Sequence, residues 1–184
     1  MNNEPWPAVL GRILDRIPFY GVEELWYPPY CTLLATVFTV VDGYVVAPVT
    51  FPKHNTQSMD LAIEYLVQNE EGVPVLGMVI KRASDIELVH SRTEADRQVR
   101  ERFAAISSPL PRFHIISAIG KRCCVYTFDS TTGTITPQRI VPTNSAIVED
   151  LAPADRWNID LGRLDGRLAL NTVFDDVKAM VASQ

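Results

Sequence analysis

The order of apolar periods along this chain predicts one α/β domain covering residues 1–184, a mixed sheet with a three-strand antiparallel meander flanked by helices. Two observations lead there. Segments with a helical period open the chain, divide it near its middle and close it. Between them lie two groups of strand-like runs, each punctuated by glycine-containing turns.

Trp6 to Ile17 carries Val9, Leu10, Ile13, Leu14 and Ile17 at helical spacing, and Pro18 ends that helix. Gly21 opens the next unit, and Val22 to Tyr27 leads into a Pro28-Pro29 step. Pro29 disfavours helical dihedrals at Pro28, so a kink or a fresh start is expected before a helix from Tyr30 to Phe38. Asp42-Gly43 signals a turn and Tyr44 to Val49 a first strand. The polar residues Lys53 to Ser58 form a loop leading to Asp60. Leu61 to Val67 and Val73 to Ile80 read as the second and third strands, joined by the turn from Gln68 to Gly72. Ser91-Arg92-Thr93-Glu94 has the form of a capping box, starting a helix to about Ile106 with Ala95, Val99, Phe103 and Ile106 inward. Pro109 and Pro111 close it. Phe113 to Ile119 and Cys123 to Phe128 form a hairpin about Gly120-Lys121, continued by Thr134 to Ile140. Residues 141–166 look mostly irregular, and Leu168 to Val181 closes the chain as a helix with Val173, Phe174 and Val177 inward.

The totals narrow the function classes. With 47% hydrophobic and 21% charged residues, the chain has the composition of an ordinary globular protein. A net charge of -5 argues against tight non-specific nucleic-acid binding, which needs clustered cations, but leaves a local basic groove open. The three cysteines, Cys31, Cys123 and Cys124, form no C-x-x-C and no even framework, as expected in a reducing compartment. The first residues lack the basic start and apolar core of a signal peptide, and the apolar run near Leu33 to Val41 is too short to span a bilayer. An intracellular protein, cytoplasmic or nuclear and without a membrane partner, is the expectation.

The chemistry concentrates in the hairpin from Asp60 to Lys81. If its turn centres between Glu70 and Glu71, Asp60 faces Lys81, Ala62 faces Val79 and Glu64 faces Gly77. Asp60, Ala62 and Glu64 then share one face of their strand. An acid and a lysine so placed have the look of a magnesium site.

Further pieces follow in order: Val22-Glu23, Trp26-Tyr27 and Pro29-Tyr30 before Asp60 and Lys81, then Ala95-Asp96 with Gln98-Val99-Arg100. Ser117-Ala118-Ile119-Gly120 and Ala152-Pro153-Ala154-Asp155-Arg156-Trp157 complete the set. From about residue 20 onward this order resembles the PD-(D/E)XK nuclease-like superfamily, and within it a group of fungal, mainly basidiomycete, proteins. The resemblance implies a restriction-endonuclease-like fold and metal-dependent phosphodiester cleavage. In such sites an aspartate and a second carboxylate hold magnesium or manganese, and a lysine steadies the nucleophile and developing charge. Asp60 and Lys81 take those places. By position Glu23, with Glu24 adjacent, would be the helix carboxylate that completes the cluster, and Gln98 matches a glutamine carried by some members on the following helix. The departure is Val79, which stands where the second acid belongs.

Val79 cannot ligate a metal, and magnesium is usually anchored by one or two carboxylates. Glu64 is the same-face candidate to lean into the vacancy; the alternative is that it pairs with a surface cation or reaches solvent. Asp60 and Lys81 are open between site residues and ordinary strand ends. Gln98 either approaches a phosphate or lies on a solvated helix flank, and Arg92, Arg97, Arg100 and Arg102 scatter around their helix as a solvated surface. His54 could approach the site from its loop, His114 is expected to be packed, and Trp26, Tyr27 and Tyr30 could stack bases. The expectation is a nuclease-like domain with a degenerate metal site, acting as a non-catalytic nucleic-acid or protein binding module. The alternative is an active magnesium-dependent nuclease with Asp60 and either Glu64 or Glu23 as ligands and Lys81 as the catalytic cation.

Overall fold

A computed structural model of the chain describes residues 4–50, 63–142 and 149–184. Asp60, His54 and the loop Lys53 to Ser58 lie outside the described residues. The fold is α/β, built on an open seven-stranded sheet that is mixed and mostly antiparallel. Strands β1 (Tyr44–Thr50), β2 (Ile63–Asn69), β3 (Pro74–Lys81), β4 (Arg112–Ile119), β5 (Arg122–Asp129) and β6 (Thr134–Thr136) lie side by side in chain order. The short β7 (Ile159–Asp160) pairs with β5. Strands β3 and β4 are parallel, so the chain must cross over between them, and the helix Val89–Ala105 does so.

Helices cover both faces. Alternate residues of β3 divide the core: Leu76, Met78 and Ile80 pack with α1 (Ala8–Arg16), α2 (Tyr27–Val37) and the closing helix, while Val79 packs on the crossover helix. In chain order that crossover is α3 and the closing helix, Leu164–Ala182, is α4. Phe174 of α4 meets Phe38 edge-on with ring centroids 5.4 Å apart, closing the first layer.

Several local expectations are corrected. In α1 only Leu10 and Leu14 are buried; Val9 and Ile13 face outward. The fresh start expected at the double proline is present, but the helix begins at Tyr27 and not Tyr30, since Pro28 and Pro29 occupy its first turn, where the missing N–H groups have no intrahelical use. α3 begins at Val89 rather than at the expected capping box. Its Glu94 carboxylate instead accepts hydrogen bonds from Arg97. β6 is shorter than expected, ending at Thr136 before a proline that cannot donate to a ladder. α4 starts earlier, at Leu164, because Gly166 lets its first turn lie against the Asp160 backbone: a Cβ there would fall 2.1 Å from the Asp160 carbonyl oxygen.

The β2–β3 register also differs from expectation. Glu64 faces Val79 and Leu66 faces Gly77, a shift of two residues. The Asn69 side chain accepts hydrogen bonds from the N–H groups of Glu71 and Val73, and Gly72 turns with φ of +77°. Gln68 then faces Pro74 across a bulge next to Val67. An even shift keeps every side chain on its face, so the hydrophobic pattern alone could not detect it.

α3 is anchored by charge as much as by apolar contact. Arg92 donates to the carbonyls of Ala152 (2.9 Å) and Ile86 (2.6 Å) and to Asp150. Asp96 accepts from Arg100, from Arg156 (2.6 Å) and from the Tyr126 hydroxyl (2.9 Å). These bonds hold the stretch near 150–157, which carries little regular structure, against the sheet. The four arginines of α3 are thus not the uniform solvated surface expected: Arg92 and Arg102 are buried and Arg97 alone among them is half exposed.

Gly120 ends β4 with φ of +59°, and a Cβ there would stand 2.5 Å from the Ala83 Cβ. Gly120→Ala therefore combines left-handed strain with a clash and is expected to cost about 2–4 kcal/mol in urea unfolding. A loss under about 0.5 kcal/mol would show that the Ala83 turn yields. A second test uses His114, which is buried as expected, its Nδ1 2.9 Å from Thr127 Oγ1 and its Nε2 3.0 Å from Asp176. Burial holds the imidazole below its ordinary value of 6.5, outweighing the Asp176 carboxylate. The unfolded chain therefore takes the proton more readily, and stability should fall as pH drops through and below about 6.5. Urea midpoints at pH 7.5 and 5.5 should show that fall, and His114→Gln should flatten it; an unchanged slope would remove His114 as its cause.

Candidate functional site

β3 and β4 end together at Lys81 and Ile119, where the Gly120 N–H donates to the Lys81 carbonyl at 3.0 Å. One row of side chains crosses the sheet on the α3 face just inside this end: Glu64, Val79, Ser117 and Cys124 face one another in turn. Val79 is 1% exposed, within the core formed by Ala95, Val99, Ile115 and Trp157. The Trp157 indole N–H donates to Ser117 Oγ at 3.2 Å, closing one end of the row. Cys124 lies beside this network, and burial pushes its thiol up to about 12, which leaves it a neutral packing residue.

Glu64, at the other end, does not lean over Val79; it pairs with a cation, as the alternative expected, but the cation is buried and not at the surface. Arg102 of α3 grips both its oxygens, with Nε 2.7 Å from Oε2 and an Nη 2.9 Å from Oε1. Both partners are buried. Parallel forked bonds of this kind are the strongest form of carboxylate pairing.

Lys81 lies one step further along β3 on the same face and is 9% exposed. Its Nζ is 3.8 Å from Glu23, whose other oxygen accepts from the Tyr27 hydroxyl at 2.6 Å. Glu23 belongs to a single helical turn, Glu23–Trp26, that leads into α2. Glu94 of α3 also feels this lysine: hydrogen bonds from Arg97 lower its carboxyl below the usual range, with smaller help from Gln98 and Lys81. Gln98 is 2% exposed, so the solvated-flank reading is corrected; its amide donates to Glu94 at 3.1 Å while its own oxygen meets no donor among the described residues.

The structure therefore brings Lys81 and Glu23 together, places Gln98 nearby through Glu94, and separates Glu64 from them by binding it to Arg102. Asp60 cannot be placed among the described residues. Trp26, Tyr27 and Tyr30 are buried, with the Tyr30 hydroxyl donating to the Gly120 carbonyl at 2.6 Å, so they are core residues and not a stacking platform. The described residues do not fit a divalent cation: Glu64 is held by Arg102, Glu23 by Tyr27 and Lys81, and Val79 offers no donor. No three Asp, Glu, His or Cys side chains among them stand close enough to share one. Sequence reasoning named Arg102, Glu94 and Tyr27 in other roles and missed their places in this network. The signal for Arg102 was present, since Ala95, Gln98, Val99 and Arg102 recur at i, i+3, i+4 and i+7, one face of a helix.

Removing one member of the Glu64–Arg102 pair takes from a buried charge its forked partner. Arg102→Met is expected to destabilise by about 3–5 kcal/mol in chemical unfolding, whereas Glu64→Met with Arg102→Met should recover most of that loss. Additive single losses in the double variant would show that the two are not coupled. No family model, curated protein or solved structure matches this chain.

Proposed function

We propose that this chain is a nuclease-like domain of the PD-(D/E)XK type, restriction-endonuclease-like in fold, with a degenerate metal site and a non-catalytic binding role. The observation that carries this reading is the forked Arg102–Glu64 pair beside Val79: the carboxylate facing the valine is already neutralised, and the valine is core. Cleavage of this kind needs carboxylates free to hold cations against a phosphate. The β1–β2–β3 antiparallel order, the α3 crossover and the parallel β3–β4 pair support the fold half of the proposal. A protein is favoured over nucleic acid as the partner. The net charge is -5, and the segment beside the site exposes Phe19, Tyr20, Val22 and Leu25, an apolar group suited to a protein surface.

One observation favours the second reading, an active magnesium- or manganese-dependent nuclease: Lys81 and Glu23 do meet at the strand end. Incubation with single- and double-stranded DNA and RNA, with either cation, separates the two. The binding-module reading expects no cleavage above background, and the same in Asp60→Ala and Lys81→Ala. Cation-dependent cleavage that disappears in both variants would overturn it in favour of the nuclease.

A further inference from the structure

Val9, Ile13 and Ile17 recur every fourth residue, so they form one row along α1 and its C-cap. Val9 is 45% and Ile13 36% exposed, beside the buried Leu10 and Leu14. Past the helix end come Phe19, Tyr20, Val22 and Leu25, all exposed, Tyr20 by 77%. The turn that carries them is fixed. The Gly21 N–H donates to the Pro18 carbonyl at 2.9 Å, and the Phe19 and Tyr20 rings meet edge-on with centroids 5.0 Å apart. A Cβ on Gly21 would stand 3.1 Å from Leu25 Cδ1, so Leu25 folds back onto the same turn. Ile17 and Phe19 also border a cleft of about 460 Å³ beyond the ends of β3 and β4.

These side chains leave bare on the order of 500 Å² of mostly apolar surface, at the upper end for a monomer. A standard interface covers roughly 800 Å² on each partner, a little over half of it apolar. One patch therefore supplies the apolar share of one such interface. Its turn is already set, which lowers the cost of binding.

The charges decide what covers it. Arg12 and Arg16, one turn apart, run along the solvent side of the α1 row, and Glu24 stands at the other end of the patch, next to Leu25. All three are exposed, and among the described residues none has an ion-pair partner. The nearby Lys121 and Asp15 already pair with each other at 2.9 Å. A partner of one sign would satisfy only one end of the patch. A second copy turned by a two-fold rotation satisfies both, because each copy's arginines then meet the other's glutamate.

We infer that this patch is the contact of a two-fold dimer, Arg12 and Arg16 of one copy meeting Glu24 of the other around an apolar centre at Tyr20. The inference rests on the reading of this segment as a protein surface and on no part of the nuclease-like fold. A chain that stays monomeric sinks the dimer alone, and the cleavage assay decides the rest.

Sedimentation velocity of the full chain from about 1 to 500 μM should show a monomer–dimer equilibrium with Kd between about 1 and 100 μM, as for a small stable interface. Tyr20→Lys, at a largely exposed position where folding is not at stake, should raise Kd at least about tenfold. Val22→Lys repeats that arm should Tyr20→Lys fail to fold, as judged by circular dichroism. Glu24→Arg, and the double variant Arg12→Glu with Arg16→Glu, should each raise Kd about tenfold alone. Mixed in equal amounts, the two should recover the parent affinity, since both ends of a mixed dimer again join opposite charges. A monomer at every concentration, growth beyond the dimer, an unchanged Kd in Tyr20→Lys, or no recovery in the mixture would each overturn the inference.

Discussion

The buried Glu64–Arg102 pair constrains more of this structure than any other contact. Each charge holds the other through two bonds in that layer, which sets β2 and α3 at one height and one rotation. That requirement reaches Val79 directly. Facing residues on adjacent strands have Cβ atoms roughly 5 Å apart, so an acid at position 79 would set a second carboxylate beside Glu64 with one guanidinium to share. A valine there fills the core and leaves the pair intact. An acid at position 79 is thus disfavoured by where Glu64 finds its cation.

α3 repeats this solution along its length. Arg92 binds the carbonyls of the layer above it, and Asp96 collects two guanidiniums and a tyrosine hydroxyl. The stretch near 150–157 has almost no secondary structure of its own with which to satisfy its backbone. Its bonds to α3 supply that satisfaction, and the Trp157 side chain then caps the sheet row at Ser117. A mean hydropathy near zero is compatible with a well-packed domain here because so many of the charges inside it neutralise one another.

The fold class was legible because periodicity reports faces. The continuous apolar runs of β3 and β4, the helical stripe of Leu10 and Leu14, and the Gly120 turn all follow from residues whose neighbours lie close in sequence. What escaped depends on contacts distant in sequence or on a single side chain. The β2–β3 register turns on Asn69 folding back over Gly72 and on Pro74 lacking an N–H, and an even slip leaves the apolar pattern unchanged. Arg102 was read as solvated, and Gln98 as a solvated flank or a phosphate contact, because polar side chains usually face outward, although their spacing from Ala95 placed them inward. Glu23 and Lys81 were named as candidates from their order in the chain, and the geometry brings them to one strand end. Asp60, the remaining member of that set, falls in a stretch where spacing alone speaks.

The Glu23–Lys81 contact has a structural meaning that does not require catalysis. Glu23 and Trp26 bound the same short helical turn, and Trp26 is a wall of the cleft beyond β3 and β4. Anchoring Glu23 to a strand-end lysine and to Tyr27 therefore fixes the position of the cleft wall relative to the sheet. Ala83, two residues past Lys81, also lines the cleft and presses on Gly120, so the strand end defines that side as well. Ala83 and Ile119 place the cleft at the ends of the parallel pair β3–β4, and the acid and lysine hold the short turn that carries its Trp26 wall. The contact of Lys81 with Glu23 is thus accounted for as a brace between the end of β3 and the turn that leads into α2.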